Sequence, residues 1–286
     1  VYFPDAEITK QDYARYLGQV CDRLLPHVAR RPLSLVRCPD GLDEPCFFQK
    51  HHAKGMPGAF KPVSIKEKEG GTEPYVHIED REGLQACAQF GALELHPWGA
   101  GVDDLERPDR LIFDLDPDEG LDFANVKAAA RHVKALLEGA GLAAYPMLAG
   151  GKGVHVIAPL KPRADWEEVR AFSRGLAEAL SESRPDTYTA KMSKAERKGR
   201  VFIDWLRNQR GQTSVAPYSL RARKGAPAAT PIRWDELSKA RSGAEYGLES
   251  LPRRLAALKA DPWADYFNDA TPLPNMGPDW AQKRPD

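Results

Sequence analysis

The sequence predicts an α+β protein whose main sheet follows the split, ferredoxin-like order β-α-β-β-α-β. Three observations support this prediction: strand-like apolar runs, two long segments with helical apolar spacing, and a glycine-rich turn between two strands. The predicted elements are strand 110–116, helix 123–138, strands 143–148 and 154–158, a helix after Asp165, and strand 201–206. This order places the first, third and last of these strands in one sheet.

Both predicted helices of this region are amphipathic. Asp165 is a good N-cap for the second helix, and Glu168 occupies the capping-box position. Apolar residues at helical spacing mark one face of each helix: Val126, Ala129, Ala130, Val133 and Leu137 in the first, and Trp166, Val169, Phe172, Leu176 and Leu180 in the second. Each helix can therefore cover the sheet with one face.

The first hundred residues predict a second, smaller sheet flanked by helices. Thr9 is the predicted N-cap of a helix over 10–25, which Pro26 closes. The other predicted elements are strands 33–37, 45–49, 75–78 and 92–96, helix 83–90, and an exposed hairpin tip at 66–72. We predict a single domain over 1–286 with an extended tail over 271–286, cut from a longer protein.

The composition predicts a chain that can bury one large core or two small ones. Its 286 residues are 42% hydrophobic, and 41 Lys and Arg balance 41 Asp and Glu. Between residues 191 and 224, however, ten basic residues accompany only two acidic ones, which predicts a polyanion-binding surface. No stretch is long and apolar enough for a membrane span, and no signal-peptide pattern opens the chain.

The four cysteines predict reduced thiols in a cytosolic protein. Cys21, Cys38, Cys46 and Cys87 form neither a C-x-x-C pair nor a dense disulfide framework. An alternative is a zinc site from Cys38, Cys46, His51 and His52, although the ligand spacing is poor.

Two aspartates at positions i and i+2 end a strongly apolar strand. Asp114 and Asp116 follow Leu111 to Phe113, and alternate residues of a strand point to one face. A third aspartate, Asp204, ends a second apolar run. Like charges at the end of an interior strand need a cation, and hard divalent metals prefer oxygen ligands. The pattern predicts a metal site for phosphoryl chemistry; the alternative is a solvent-exposed strand end before a turn at Pro117.

The glycine-rich turn at 148–155 is a candidate phosphate-binding loop. Glycines such as Gly151 let backbone N–H groups approach phosphate oxygens, and Lys152 and His155 would add charged donors. The segment lacks the spacing of a Walker A loop. An ordinary glycine hairpin is the alternative interpretation.

Two pairs of residues are candidates for nucleic-acid contact. Phe47 and Phe48 lie beside Lys50, where an exposed aromatic ring can stack on a base, although adjacent phenylalanines are more often core residues. Arg221 and Arg223 would alternate along one strand face and clamp phosphates. A solvated strand edge is the alternative for the arginines.

Five segments, in this order along the chain, resemble the polymerase domain of bacterial DNA ligase D, which belongs to the archaeo-eukaryotic primase superfamily. The segments read LELHPWG, FDLDP, GGKGVH, VFIDWLRN and APYSLRAR. The resemblance extends from the first residues to about Leu237. It implies a primase-polymerase fold and a template-dependent and terminal nucleotidyl transferase. Such an enzyme fills or extends DNA ends in non-homologous end joining, favours ribonucleotides and works with manganese.

The resemblance also implies roles for individual residues. It makes Asp114, Asp116 and Asp204 the ligands of two Mn²⁺ or Mg²⁺ ions and His96 an active-site histidine. The residues implied to bind the nucleoside triphosphate are Gly151, Lys152, His155 and Arg197. The implied DNA contacts are Lys10 at a 5′-phosphate, Phe47 and Phe48 beside the template, and segment 66–72 where two ends meet. The implied partners are DNA ends, gapped or primer-template DNA, a ligase domain of the same parent chain and Ku, in the bacterial cytoplasm near the nucleoid.

The chain departs from the family pattern at two points. Ala149 replaces a family serine, and a family lysine would precede Val1. The enzymatic alternative is a phosphatase of the haloacid-dehalogenase type, because 112–116 resembles its nucleophile strand, although that family has Thr or Val where this chain has Asp118. The non-enzymatic alternative is a module that binds DNA ends only through the basic window, which is the segment 191–224.

Overall fold

The structure is a computed structural model, and it describes residues 1–67 and 70–275. The chain divides into two compact units. The first comprises Val1–Asp104, Thr213–Thr230 and Tyr246–Lys259, and the second comprises Leu105–Gln212, Pro231–Glu245 and the described residues from Ala260 onward. The single domain predicted over 1–286 stays a prediction. Parts of two predicted features, residues 68–69 of the hairpin tip and residues 276–286 of the tail, lie outside the described residues.

Helices and strands alternate along most of the chain, in agreement with the predicted α+β class. The helices are α1 (Lys10–Val28), α2 (Arg81–Phe90), α3 (Phe123–Gly139), α4 (Trp166–Ser183), α5 (Trp234–Lys239) and α6 (Ser250–Ala257). The strands are β1 (Leu33–Arg37), β2 (Phe47–Gln49), β3 (Lys61–Lys66), β4 (Thr72–His77), β5 (Ala92–Pro97), β6 (Arg110–Pro117), β7 (Tyr145–Leu148), β8 (Val154–Pro159), β9 (Tyr188–Thr189), β10 (Val201–Asp204) and β11 (Thr230–Pro231).

The first unit contains the predicted smaller sheet, in the order β2-β1-β4-β3, with β5 also paired to β1, and its strand β3 was not predicted. Thr9 caps α1 as predicted, because its side chain accepts a hydrogen bond from Asp12 N and Asp12 bonds back to Thr9 N. The helix ends at Val28 rather than before Pro26. Pro26 lies in the last turn, where the missing N–H removes one helical hydrogen bond, while the buried His27 and Val28 extend the packed face.

The second unit contains a sheet in the order β11-β7-β8-β6-β10-β9. The four strands β7-β8-β6-β10 reproduce the predicted ferredoxin-like arrangement, with β6 between β8 and β10. The predicted capping box of Asp165 and Glu168 is present at the start of α4. Sequence reasoning missed the two-residue strands β9 and β11, which are too short to have a readable period.

The cysteine prediction is wrong for two of the four residues. Cys38 and Cys46 form a disulfide, because the turns between β1 and β2 bring their Cα atoms to 4.5 Å. Both sulfurs are therefore committed, and the alternative zinc site with His51 and His52 is also wrong. Cys21 and Cys87 are buried free thiols, and burial raises the pKa of Cys87 to about 12.

Across the described ranges, we find no helix long and apolar enough to cross a membrane.

Candidate active site

Asp114, Asp116 and Asp204 lie on two paired strands of the second unit. Strands β6 and β10 are antiparallel, with Asp204 directly opposite Asp114 and Phe202 opposite Asp116. Directly opposite residues share a face of the sheet, with Cβ atoms about 4.5 to 5.5 Å apart. The predicted adjacency of Asp204 to Asp114 is thus confirmed. The buried run from Leu111 to Phe113 anchors β6 in the core, as the apolar pattern predicted.

Asp114 has basic partners from both neighbouring strands. His155 stands opposite it on β8, with Nε2 3.3 Å from Asp114 Oδ1. Arg207 follows β10 and joins two of the acids, since its Nη2 is 3.4 Å from Asp114 Oδ2 and its Nε is 3.3 Å from Asp204 Oδ2. Sequence reasoning assigned no role to Arg207. Its position three residues after Asp204, inside the basic window, was the available signal.

Asp116 is paired with Arg197, a residue predicted to bind the triphosphate. Arg197 Nη1 lies 3.3 Å from Asp116 Oδ2, and its guanidinium stacks 3.8 Å from the centre of the Phe202 ring. Asp118 accepts a 2.7 Å hydrogen bond from Gly199 N and so holds the backbone two residues after Arg197. The guanidinium is therefore held on the same face of the sheet as the acids.

The electrostatics of the aspartates indicate a crowded acidic site. Burial raises the pKa of Asp116, the nearby Asp114 raises it further, and Arg197 and Lys152 oppose the shift. Burial also raises the pKa of Asp204, with Arg207 acting in the opposite direction. Both carboxyls therefore cost free energy to ionise in the folded chain. A bound cation would remove part of this cost.

The residues fit a hard divalent cation by chemistry, because carboxylate oxygens are the ligands that Mg²⁺ and Mn²⁺ prefer. Within residues 1–67 and 70–275, however, no group of three or more His, Cys, Asp or Glu side chains is arranged as a ready metal-binding set. Arg197 and Arg207 contact the aspartate oxygens instead. A cation at this site would compete with these guanidinium groups for the same oxygens.

Asn208 ties the two acid-bearing strands together, and sequence reasoning missed it. The side chain of this buried residue accepts from Ile112 N at 2.8 Å and donates to Ile112 O at 2.7 Å. The pairing of β10 with β6 ends at Asp204 and Asp114, and beyond it the Asn208 side chain makes the hydrogen bonds to Ile112 that a strand would otherwise make. Asn208 thus fixes the backbone two residues before Asp114.

The glycine-rich segment forms the β-hairpin between β7 and β8, as its alternative interpretation predicted. Gly150 has a positive φ of 70°, and its N–H donates to Gly243 O at 2.8 Å. A Cβ atom on Gly153 would lie 2.5 Å from Leu115 O, so only glycine lets this loop approach β6 so closely. Lys152 is exposed. The phosphate-binding roles of Gly151 and Lys152 stay predictions.

The remaining candidate residues belong to the first unit, and they are His96, Lys10, Phe47, Phe48, Arg221 and Arg223. His96 is bound to Glu94, a residue that sequence reasoning missed: His96 Nε2 lies 2.7 Å from Glu94 Oε2. Arg221 Nε donates to the same oxygen at 2.9 Å. Glu94 lies two residues before the histidine of the LELHPWG segment, and this position on the same strand face was a usable signal.

The predicted strand carrying Arg221 and Arg223 is wrong. Leu220 pairs with Ala228, so the residues between them reverse the chain, and Gly225 has a φ of 76°. Arg221 is directed to Glu94, whereas Arg223 is exposed. The two arginines therefore do not alternate along a strand face, and their DNA contacts stay predictions.

Phe47 and Phe48 are surface residues rather than core residues, with 44% and 71% of their areas exposed. Arg37 lies 5.2 Å from the Phe47 ring centre, and Phe48 makes an edge contact with His96 at 6.2 Å between ring centres. Lys10 is exposed at the start of α1, where its Nζ lies 3.4 Å from Gln89 O. Exposed aromatic rings near basic groups can stack on bases, and the DNA-binding roles of Phe47, Phe48 and Lys10 stay predictions.

Comparison with protein families decides what kind of domain this is. The model of the family "LigD, primase-polymerase domain" matches residues 9–263. The chain belongs to the LigD primase-polymerase family. It is therefore a DNA-directed nucleotidyltransferase domain, in agreement with the resemblance found in its sequence. The haloacid-dehalogenase alternative does not account for this match.

Relatives of this LigD-family chain include longer proteins. The multifunctional non-homologous end joining protein LigD of Pseudomonas aeruginosa is 38% identical over 265 residues, which cover 92% of this chain and 31% of the relative. The bifunctional non-homologous end joining protein LigD of Bacillus subtilis is 28% identical over 270 residues, or 94% of this chain and 43% of the relative. The chain thus spans less than half the length of either relative.

A solved structure also matches this member of the LigD family. The polymerase domain from Mycobacterium tuberculosis Ligase D in complex with DNA superposes with a TM-score of 0.87 at 32% identity, covering 94% of this chain and 96% of that one. The match confirms the predicted fold class of the LigD primase-polymerase domain.

Proposed function

We propose that this domain adds nucleotides, ribonucleotides among them, to DNA 3′ ends and gaps during non-homologous end joining, by two-metal phosphoryl transfer. The observation that carries the proposal is the register of β6 and β10, in which Asp204 stands opposite Asp114 and Asp116 shares their face. The names of the relatives and the DNA-bound neighbour support the assignment to end joining and to DNA.

In this proposal Asp114, Asp116 and Asp204 would hold two Mn²⁺ or Mg²⁺ ions. Bound there, the ions would supply Lewis acidity toward a 3′-hydroxyl and positive charge opposite the leaving pyrophosphate. The protein contributes a buried sheet that keeps the three carboxylates in register. Arg197 and Arg207 act against the burial that raises the pKa of Asp116 and of Asp204, and so favour their ionised forms.

The incoming nucleoside triphosphate binds, in our proposal, to basic side chains around this acidic face. Arg197 is already oriented by the Phe202 ring, and Lys152 is exposed on the neighbouring hairpin. His155 and the backbone at Gly151 complete the set. A hydrogen bond to a charged group contributes about 1.5 to 3 kcal/mol. The missing hydroxyl at Ala149 therefore predicts weaker nucleotide binding than in family members with serine.

The DNA contacts are proposed for the first unit. Phe47 and Phe48 expose their rings, and stacking on a base contributes about 1 to 3 kcal/mol. Lys10 and Arg223 are exposed cations that would contact phosphates, and Arg221 would do so from its site on Glu94. We propose a ligase domain of the parent chain and Ku as partners, in the bacterial cytoplasm.

A primer-extension assay tests this function directly. The chain is incubated with a primer-template, one labelled nucleoside triphosphate and Mn²⁺, and the products are resolved by length. We expect extension by one or a few nucleotides together with release of pyrophosphate. DNA binding without extension would indicate the non-catalytic end-binding module, and release of inorganic phosphate from a phosphomonoester would indicate a phosphatase. Either result would overturn the proposal.

A further inference from the structure

Glu94 is a buried carboxylate in the first unit that accepts three hydrogen bonds. Only 6% of its surface is exposed. Its Oε2 interacts with His96 Nε2 at 2.7 Å and accepts from Arg221 Nε at 2.9 Å, while Oε1 accepts from Ala222 N at 2.7 Å. One side chain thus joins β5 to the reversal that begins at Arg221, 127 residues further along the chain.

The charge state of Glu94 determines where the hydrogen on His96 lies. Burial alone would raise the pKa of Glu94, but the hydrogen bond from His96 and the charge of Arg221 lower it to about 2. The carboxyl is therefore ionised near neutral pH, and an ionised carboxylate can only accept hydrogen bonds. His96 Nε2 must then carry a hydrogen, whether the ring is neutral or protonated.

The surroundings of Glu94 are rigid enough to orient both partners. Strand β5 pairs with β1, with His96 opposite Ser34. Leu95 N donates to Ser219 Oγ at 3.0 Å, which ties the same strand to the segment that carries Arg221. A buried hydrogen-bonded carboxylate on such a frame fixes the ring angle and tautomer of a histidine.

We propose that Glu94 is a positioning residue for nucleotidyl transfer, which fixes the Nε2–H tautomer of His96 and the direction of the Arg221 guanidinium through a shared oxygen. This inference rests on the proposed function, in which Arg221 contacts DNA, and on the role of active-site histidine that the family resemblance implies for His96. In this proposal Glu94 acts through these two side chains rather than by its own contact with nucleotide or primer.

The tautomer is measured first, on the full chain with ¹⁵N-labelled histidine. Nitrogen shifts and couplings at neutral pH report which ring nitrogen bears hydrogen, and His96→Gln assigns the signal. We expect hydrogen on Nε2 in the wild type and a larger share of the Nδ1–H form in Glu94→Gln. A wild-type His96 with hydrogen on Nδ1 alone would overturn the inference. This readout needs neither DNA nor activity, and the wild-type result stands even where Glu94→Gln does not fold.

Primer extension then tests whether the orientation that Glu94 gives to His96 and Arg221 affects the rate of nucleotidyl transfer. We expect Glu94→Gln to slow extension by about 10- to 100-fold, by analogy with the carboxylates that orient metal-binding histidines. The double variant Glu94→Gln/His96→Gln should lose less than the product of the two single losses, because the part of the Glu94 effect that acts through His96 is counted once and only the part that acts through Arg221 is added. Glu94→Asp, which retains the charge, should recover part of the loss. Losses that multiply in the double variant would overturn a role through His96.

Ser219→Ala is the matched control. It removes a buried hydrogen bond between the same two segments without touching His96, and we expect it to retain the wild-type extension rate to within about twofold. A loss in Ser219→Ala as large as in Glu94→Gln would indicate a merely structural effect and overturn the inference. An inactive wild type would overturn the proposed function as well, whereas an active wild type with an equally active, folded Glu94→Gln would overturn only the role of Glu94.

Discussion

Two acidic sites of this domain show opposite electrostatics. The Glu94 cluster consists of Glu94, His96 and Arg221, and the aspartate cluster consists of Asp114, Asp116 and Asp204. The nitrogen donors around Glu94 lower its pKa to about 2 despite burial. In the aspartate cluster, burial and the neighbouring Asp114 raise the pKa of Asp116 and of Asp204, although the basic residues Arg197, Arg207 and Lys152 act in the opposite direction.

The protein's own donors stabilise the ionised carboxylate of Glu94, whereas they do not fully offset the burial of the ionised carboxylates of Asp116 and Asp204. Glu94 receives three hydrogen bonds and contributes to stability in its ionised form. Asp116 and Asp204 are more difficult to ionise than in water, so their ionised forms cost the fold free energy. Carboxylates retained at such a cost are expected to serve a bound cation. Four predictions test this contrast, from the largest expected effect to the smallest.

The largest effect is expected from Asp114→Asn or Asp204→Asn, each of which removes one carboxylate charge from the aspartate cluster. Primer extension with Mn²⁺ should fall by about 100- to 1000-fold or more, as for other groups that stabilise transition-state charge. The rate of single-nucleotide addition measures the loss. Retention of manganese-dependent extension by Asp114→Ala would rule out the proposed role of this residue.

The next effect concerns the stability of the Glu94 cluster. Glu94→Gln should lower the free energy of unfolding by about 2 to 3 kcal/mol at neutral pH, because a hydrogen bond to a charged group is lost. The folded-state pKa of Glu94, about 2, lies below the unfolded value. The ionised carboxyl therefore stabilises the fold above about pH 4.5, and this contribution is lost as the pH falls further.

Urea unfolding of wild type and Glu94→Gln between about pH 6 and pH 2.5 measures this loss. The difference between the two proteins should shrink toward the acid end of the series. A difference that does not change with pH would contradict an ionised Glu94 held by its donors.

Asp204→Asn should have the opposite sign and stabilise the metal-free chain by about 0.5 to 2 kcal/mol at neutral pH. Asparagine retains the Oδ1 atom that accepts from Leu206 N, but it removes the charge that burial penalises. Because the folded-state pKa of Asp204 is raised, the protonated acid supports stability at low pH. That support is lost as the pH rises through the folded-state pKa.

The increase in the free energy of unfolding that Asp204→Asn causes should therefore grow above about pH 4 and vanish below it. Thermal unfolding in the presence of a chelator, over a series of pH values, measures the difference from wild type. A less stable Asp204→Asn at neutral pH would show that the aspartate cluster is electrostatically satisfied, which would remove the contrast with Glu94.

The smallest effect is expected at an ion pair of the second unit outside both clusters. Arg210 Nη2 lies 2.9 Å from Glu106 Oε1, and 61% of the Glu106 side chain is exposed. Glu106→Gln should change stability by less than about 1 kcal/mol and should leave primer extension unchanged, because water and salt screen exposed pairs. A larger change in urea unfolding would show that simple charge loss accounts for the effects at the clusters.

Local patterns in the sequence predicted the elements that position the aspartates. The i, i+2 spacing of Asp114 and Asp116 requires only the two-residue period of a strand, and the caps at Thr9 and Asp165 require only their own first helical turns. The order of helices and strands then predicted the strand neighbours, and Asp204 stands opposite Asp114 as that order required. The spacing and the caps depend on short-range backbone geometry, and the strand neighbours depend on the order of the elements, so all of these can be predicted from the sequence.

The contacts that distinguish the two clusters depended on the tertiary structure. The bond from Arg221 to Glu94 joins residues 127 positions apart, and the reversal at Gly225 removed the strand that the alternation of Arg221 and Arg223 had suggested. The disulfide of Cys38 and Cys46 likewise needed the turns that bring their backbones together. By itself the sequence determined which residues are acidic, apolar or flexible and how they repeat. Only packing decided which charges meet and how fully each is compensated, because desolvation and Coulomb energies depend on distances that no local period encodes.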